Sequence, residues 1–125
     1  MIDQKIYQLV NKISRRTQVG AIDWEEGVAD NQFVANFRNL SLTLSLFQQD
    51  GPQSAPVYRV EIRNAQGKIV DAFDDEDLDR ENANDEYYNT LQEIYESARR
   101  RASGASAAIE ELLEELSDED DGIPF

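Results

Sequence analysis

Carboxylates dominate the side chains of this chain that could take part in chemistry. The sequence contains 26 Asp and Glu residues but no His and no Cys. It therefore lacks the usual general base near neutral pH, the commonest zinc ligand and the thiol nucleophile. Glu25, Glu26 and the run at 74–81 fall in predicted surface segments, and the six glycines are scattered singly without a phosphate-binding loop. We therefore expect a protein that is not an enzyme and that uses no cofactor.

The first of two acidic blocks, residues 74–86, has the ligand spacing of a calcium-binding loop. Carboxylates stand at the first, third, fifth and twelfth positions of an EF-hand loop, namely at Asp75, Asp77, Asp79 and Glu86. Arg80 occupies the sixth position, where the sharp turn requires Gly, and a strand rather than a helix is predicted before the block. Two interpretations follow, a calcium-binding module and a solvated loop that leads into a helix.

The second acidic block lies at the end of the sequence and carries an apolar tip. Pro124 fixes its own φ and disfavours the α conformation at Ile123, so a preceding helix is not expected to reach Phe125. The ring and the α-carboxylate of Phe125 would then lie on one terminal residue. This tip could bind a partner, or the acidic segment could serve only to keep the protein in solution. The predicted partner-binding residues are Asp118, Glu119, Asp120, Asp121, Ile123, Pro124 and Phe125.

This ending resembles the C-terminal tail of bacterial single-stranded DNA-binding proteins, in which an acidic run ends in Asp-Asp, a short residue and Ile-Pro-Phe. The matching residues are Asp120, Asp121, Ile123, Pro124 and Phe125, with Gly122 where a third Asp is common. The resemblance is confined to residues 118–125. It implies that the tail docks onto replication, recombination and repair enzymes. It also implies that Phe125 enters an apolar pocket, its carboxylate meets an Arg or Lys, and the upstream acids face a basic rim.

The charge of the chain is concentrated in its second part. Residues 1–73 hold eight basic and eight acidic residues, whereas residues 74–125 hold four and eighteen, so the whole net charge of −14 lies there. A neutral body with an acidic extension argues against binding a phosphate backbone and favours a basic protein partner. Two functions fit this pattern. One is an adaptor or competitor at DNA-maintenance enzymes, and the other is a DNA mimic whose carboxylates imitate phosphates.

The residues before these blocks predict one helix and then a sheet. Apolar residues at helical spacing (Ile2, Ile6, Leu9 and Ile13) predict an amphipathic helix over residues 3–14. From Val19 to Phe73 the apolar period becomes two, which is typical of strands. The predicted strands contain Ile22 and Trp24; Phe33, Ala35 and Phe37; Leu40, Leu42, Leu44 and Leu46; Tyr58, Val60 and Ile62; and residues 68–73.

The aromatic residues of the predicted sheet fall mostly on its core-facing positions. Trp24, Phe33, Phe37 and Tyr58 occupy these positions, and the strands carry no excess of basic residues. An oligonucleotide-binding barrel would combine a basic groove with exposed stacking aromatics. Direct nucleic-acid binding is therefore not expected.

Two helices are predicted after the first acidic block. The first, over residues 85–102, ends in Arg99, Arg100 and Arg101, which suit the negative end of the helix dipole but could also contact the acidic tail or nucleic acid. The second, over residues 107–116, places Ile109, Leu112, Leu113 and Leu116 on one face and glutamates on the other. We expect this face to pack on the domain, with pairing to a second copy as the alternative.

Together these patterns predict a single α+β domain over residues 1–116 and an acidic tail over residues 117–125. Its architecture is an N-terminal helix, a four- to five-stranded antiparallel meander, two C-terminal helices and a flexible acidic tail. The absence of Cys and of a long apolar run predicts a cytoplasmic protein without a membrane segment, and the resemblance of the tail implies a bacterial one.

Overall fold

Helix α1 spans Gln4–Gln18 in the computed structural model, which describes residues 3–48, 56–80 and 86–120. Asp3 caps the helix by accepting a hydrogen bond from the backbone N–H of Lys5 at 2.9 Å. The helix continues past its predicted end at Ser14 because Thr17 is buried and its hydroxyl accepts a hydrogen bond from the Trp24 indole N–H at 3.1 Å. This bond attaches the last turn of α1 to the segment that enters the sheet.

The predicted antiparallel meander is confirmed, because five strands form one sheet in the order β1-β2-β3-β4-β5. Their bounds are Glu25–Glu26, Gln32–Asn36, Leu40–Phe47, Val57–Asn64 and Ile69–Asp74. Leu44 lies opposite Phe33 on one side and Val60 on the other. Because alternate residues of a strand share a face, this register places the apolar residues of β2, β3 and β4 together.

The first strand differs from its prediction. Ile22 and Trp24 were expected to lie on it, but β1 contains only Glu25 and Glu26. Ile22 and Trp24 precede the strand and are buried at 7% and 3% exposure. Their alternation therefore reflects insertion of both side chains into the core rather than strand pairing.

Three helices follow the sheet, and one of them was not predicted. Helix α2 spans Asp75–Asp79, α3 spans Glu86–Ala102 and α4 spans Ala105–Asp120. The α2 segment was expected to be a solvated loop, but Asp74 and Asp77 form a capping box and Leu78 is fully buried. The burial of Leu78 explains why this acidic stretch is held against the domain.

Helix α3 contacts strands β1 to β4 as well as helices α1, α2 and α4. Its rings contact the sheet directly: Tyr58 lies 5.6 Å from Tyr88 and 5.4 Å from Tyr95 between ring centroids. The most deeply buried large side chains are Leu44, Leu78, Leu91 and Val10. The core is thus a single layer between one sheet face and two helices.

The expected core positions of the aromatic residues are confirmed for Trp24, Phe33 and Tyr58, which are all buried. The expectation is wrong for Phe37, which is 51% exposed because it follows the end of β2. Stacking of bases on the three buried rings is therefore excluded by their burial. Within the described ranges, none of the helices has the length and apolar character to cross a membrane.

Candidate protein-interaction surface

Three of the four carboxylates of the predicted calcium loop, those of Asp75, Asp77 and Asp79, are held separately by backbone groups. Asp75 is buried, and its Oδ1 accepts a hydrogen bond from the Tyr58 backbone N–H at 2.7 Å. The Asp77 carboxylate accepts from the Asp74 backbone N–H at 3.2 Å as part of the capping box. Asp75 and Asp77 therefore fix helix α2 to β4 and β5.

Asp79, the last residue of α2, caps the start of helix α3, and Glu86 is its first residue. The two carboxylate oxygens of Asp79 accept hydrogen bonds from the backbone N–H groups of Tyr87 and Tyr88, both at 2.9 Å. Glu86 is the first residue of α3 and is exposed. The described ranges contain no group of three or more His, Cys, Asp or Glu residues that could hold a metal ion. In the fold, Asp77 thus caps helix α2 and Asp79 caps helix α3.

Burial changes the proton affinity of two residues in this block. Burial raises the pKa of Asp75 above its usual range, and the hydrogen bond from the Tyr58 backbone only partly opposes this shift. Burial also raises the pKa of Asp74, again partly opposed by a backbone hydrogen bond, here from Asp77. Both residues are structural, because Asp75 accepts from the Tyr58 backbone N–H and Asp74 accepts from the Asp77 backbone N–H.

The end of helix α3 is attached to the loop that follows α1. The Arg101 Nε atom lies 3.1 Å from the Asp23 carboxylate, and its Nη1 atom donates to the Gly20 carbonyl at 3.5 Å. Arg99 pairs with Glu96 one turn earlier at 3.1 Å. These two arginines thus bind side chains and backbone of the domain, which fixes where α4 begins.

Helices α3 and α4 are joined by only two residues, Ser103 and Gly104. Gly104 has φ of 77°, and a Cβ atom there would meet nothing within 4 Å, so glycine is required by the backbone conformation and not by space. The Ser103 N–H donates to the Arg99 carbonyl at 2.9 Å, and the Ala108 N–H donates to the Gly104 carbonyl at 2.9 Å. The junction is therefore a defined turn that sets the direction of α4.

Helix α4 does not pack on the domain, so the predicted packing of its apolar face is wrong. Ile109, Leu112, Leu113 and Leu116 are 51%, 55%, 59% and 53% exposed. We call these four residues the α4 stripe. All described side chains from residue 107 to residue 117 are exposed. The reason is geometric, because the short turn at Gly104 directs α4 away from the core that α3 covers.

Helix α4 also extends beyond its predicted end at Leu116 and includes residues up to Asp120. Ser117, the first residue of the predicted acidic tail, is therefore helical. Of the predicted partner-binding residues, Asp118, Glu119 and Asp120 lie in the last turn of α4, although the structure does not describe their side chains. Asp121, Ile123, Pro124 and Phe125 lie outside the described residues.

A second apolar surface lies between α1 and one end of the sheet. This groove has a volume of about 360 Å³. Helix α1 contributes Leu9 and Ile13, and the exposed cationic residues Lys12 and Arg16 also line it. The remaining lining residues are Ala21, Ile22, Phe37, Leu40, Leu42 and Ile62. We call this surface the α1 groove.

The α1 groove was not predicted, because Leu9 was assigned to the core stripe of α1. In the structure the buried residues of α1 are Tyr7, Val10, Ile13 and Thr17, and Leu9 is only partly buried. The apolar face of α1 is therefore wider than the surface that α3 covers. That width was visible in the sequence, but nothing there showed which edge of the face would remain open.

The face of the sheet opposite the helices is polar, as the alternation in β3 predicted. Glu61 forms ion pairs with Arg59 at 3.2 Å and with Arg63 at 3.0 Å, and Gln32 donates to the Ser45 hydroxyl at 3.3 Å. These side chains shield Thr43 and Ser45, which are buried despite lying on the uncovered face. Mutually paired charges leave this surface without a net preference for a charged ligand.

Comparisons with protein-family models, with curated proteins and with solved structures find no match to this chain. The candidate surfaces of the described residues differ in their chemistry. Two of them are apolar and exposed: the α4 stripe on an acidic helix and the α1 groove with its two cationic residues.

Proposed function

We propose that this protein is a non-catalytic interaction protein that presents an acidic C-terminal arm to basic enzymes of DNA replication, recombination or repair. The arm consists of α4 and the residues that follow it. The observation that carries the proposal is that α4 projects from the domain with every described side chain from residue 107 to residue 117 exposed. An exposed helix of this kind leaves its acidic residues accessible to a partner.

The charge of the arm supports a basic partner. Residues 105–125 contain eight acidic residues and no basic residue, whereas residues 1–73 are neutral overall. A local field of one sign attracts a partner of the opposite sign and accelerates its association. The sixteen residues of α4 form a rod that is about 24 Å long at the usual helical rise. This rod lets the acids act without contact between the partner and the domain.

The apolar tip supports a specific partner rather than general attraction. Ile123 and Phe125 follow the acids directly, and the tip resembles the interaction end of bacterial single-stranded DNA-binding proteins. Burial of one Phe side chain contributes about 1.5–3 kcal/mol. Ordering of the tip residues on binding opposes part of this gain. We therefore expect a salt-sensitive contact of roughly micromolar affinity.

A pull-down from a bacterial lysate tests this proposal with two variants of the full chain. Intact protein should capture DNA-processing enzymes, and deletion of Ile123–Phe125 should abolish that capture. Addition of a single residue after Phe125 should weaken it, since the carboxylate would be moved from its expected basic contact. The matched control is Val28→Asp, which alters a fully exposed apolar residue far from the arm in sequence. Equal recovery of the same enzymes with and without residues 123–125 would contradict the proposal.

A second function, mimicry of DNA, is favoured by the helical placement of the acids. Seven acidic residues lie between Glu110 and Asp120 in α4. At the helical rise of 1.5 Å this gives about one charge per 2.4 Å, compared with about one per 1.7 Å along duplex DNA. The helix predicted over residues 107–116 thus extends to Asp120 and includes three more acidic residues than expected.

Enzyme inhibition distinguishes the two functions. A mimic should compete with duplex DNA for a basic DNA-binding protein, and deletion of residues 123–125 should leave that competition unchanged. Replacement of Glu110, Glu111, Glu114 and Glu115 by Gln should abolish it. An adaptor should lose its binding on deletion of residues 123–125 and should only associate more slowly after the four replacements, because its specificity resides in the apolar tip.

A further inference from the structure

The molecule leaves two apolar surfaces uncovered, and their shapes and charges are complementary. The α4 stripe is a convex row of four aliphatic side chains at residues 109, 112, 113 and 116, each more than half exposed. The α1 groove is a concave apolar surface of about 360 Å³ between a helix and the end of a sheet. A helix face that enters an apolar groove through residues spaced by three and four is a common mode of recognition.

The charges beside these surfaces have opposite signs. Lys12 and Arg16 line the α1 groove and are exposed. Glu110, Glu111, Glu114 and Glu115 lie on α4 outside its stripe and are also exposed. A stripe placed in the groove would bring these groups into the same region, where opposite charges favour one register. The same acids oppose pairing of two α4 helices with each other, because α4 contains no basic residue.

Both surfaces are exposed within one chain, and the backbone explains why. Helix α3 is held at its end by the contacts of Arg101 with Asp23 and Gly20, and the Gly104 turn that follows is closed by hydrogen bonds. In this backbone the four stripe residues are exposed, so the stripe of a chain does not lie in its own groove. A second copy can place its stripe there without any change in the fold.

We propose that two copies of this chain form a symmetric dimer in which α4 of each copy lies in the α1 groove of the other. This interface is separate from the proposed tail contact, because it uses residues 109–116 and not residues 121–125. A two-fold arrangement buries both helices and both grooves at once, which doubles the contact area toward the range of stable dimers. It also presents two acidic ends, so that binding to a partner with two sites would be strengthened by avidity.

The oligomeric state of the full chain tests the proposal. Sedimentation equilibrium of the wild-type protein should show a dimer. Leu113→Asp in the stripe and Leu40→Glu in the groove should each raise the dissociation constant at least about tenfold, because a carboxylate would enter an apolar contact. Both residues are about half exposed in one chain, at 59% and 49%, so both variants should fold. Val28→Asp is the matched control and should remain dimeric.

A mixing experiment identifies the contact itself. The Leu113→Asp variant retains an intact groove, and the Leu40→Glu variant retains an intact helix. An equal mixture should therefore form heterodimers through one native contact, although each variant alone is monomeric. Heterodimers would not form if two α4 helices paired directly, and that result would overturn the proposal. A wild-type chain that stays monomeric at every concentration would also overturn it, as would a dimer that is lost on deletion of residues 121–125.

Discussion

Asp75 shows how a residue with the spacing of a metal ligand serves a structural purpose. Its side chain is 5% exposed and accepts a 2.7 Å hydrogen bond from the backbone N–H of Tyr58. That bond satisfies a donor at the start of β4 and fixes the position of α2. Burial nevertheless raises the pKa of this carboxyl, since the ionised form is separated from water. The acceptor stabilises the fold, while the negative charge on it does not.

Because the fold needs Asp75 as a hydrogen-bond acceptor and not as a charge, substitutions by Ala and by Asn should have different effects. Asp75→Ala should lower the free energy of unfolding by about 1–3 kcal/mol relative to Asp75→Asn, because only alanine leaves the Tyr58 N–H without an acceptor. The folded-state pKa of Asp75 is raised above 3.8. Protonation of Asp75 therefore favours the folded state fully below pH 3.8, and this contribution is lost as the pH rises through the raised pKa.

Urea denaturation at a series of pH values measures this contribution. On acidification from neutral pH, the wild-type protein should gain stability relative to Asp75→Asn, which cannot take up the proton. Asp74 titrates in both proteins, and the comparison between them removes most of its effect. A constant difference between the two proteins across this pH range would show that Asp75 has an ordinary pKa in the fold.

Among the elements, α3 and α4 differ in what holds them as helices. Helix α3 buries Tyr87, Leu91, Ile94 and Tyr95, and its first turn is capped by Asp79. Helix α4 has no such burial in its described side chains, and a helix of that length without tertiary contacts is marginally stable in water. We therefore expect α3 to follow the global stability of the domain and α4 to depend on its partner.

The cap of α3 gives a prediction for this element. Asp79→Ala should lower the free energy of unfolding by about 1–2 kcal/mol, because two backbone N–H groups at the start of α3 lose their acceptor. Asp79→Asn retains one carbonyl oxygen and should cost less. Thermal unfolding followed by circular dichroism provides the measurement. Equal melting temperatures for wild type and Asp79→Ala would indicate that α3 needs no cap.

For the whole molecule, the uneven charge is the property most relevant to binding. The excess of acidic residues lies in residues 74–125, and eight acids without any base lie in residues 105–125. In the folded body, arginines form ion pairs with acidic side chains, as Arg101 does with Asp23. The arm carries −8 of the net charge of −14, so it contributes the larger share of the field around the molecule. Such a field affects the rate of association more than the rate of dissociation.

A pair of variants with equal net charge tests this distribution. Replacement of Glu110, Glu111, Glu114 and Glu115 by Gln should slow association with the captured enzyme and reduce its dependence on salt. Replacement of Glu25, Glu26, Asp30 and Asp71 by Gln or Asn removes the same charge from the body and should have little effect. Stopped-flow measurements at several salt concentrations compare them. Equal slowing by both sets would mean that total charge, not its location, controls association.

The sequence by itself determined the α+β class, the antiparallel meander and the extent of α3. These features follow from local periodicity, because a period of two or of 3.6 is set by the backbone of each element. It also located both acidic blocks and the apolar tip at residues 123–125, which the described residues do not include. The turn at Asn64 and Gly67 was predictable for the same reason, since one Asn side chain accepts from the backbone at Gln66 and Lys68.

Only the tertiary structure decided how the apolar faces are used. The periodicity of α4 was read correctly, but its stripe is exposed, because the Gly104 turn directs the helix away from the core. The periodicity of α1 was also correct, yet Leu9 lines an open groove because α3 covers only part of that face. Of the carboxylates with calcium-loop spacing, Asp77 and Asp79 cap helices α2 and α3, because the burial of Leu78 holds α2 against the domain. A pattern in one element specifies that a face is apolar, whereas the packing of the other elements determines what covers it.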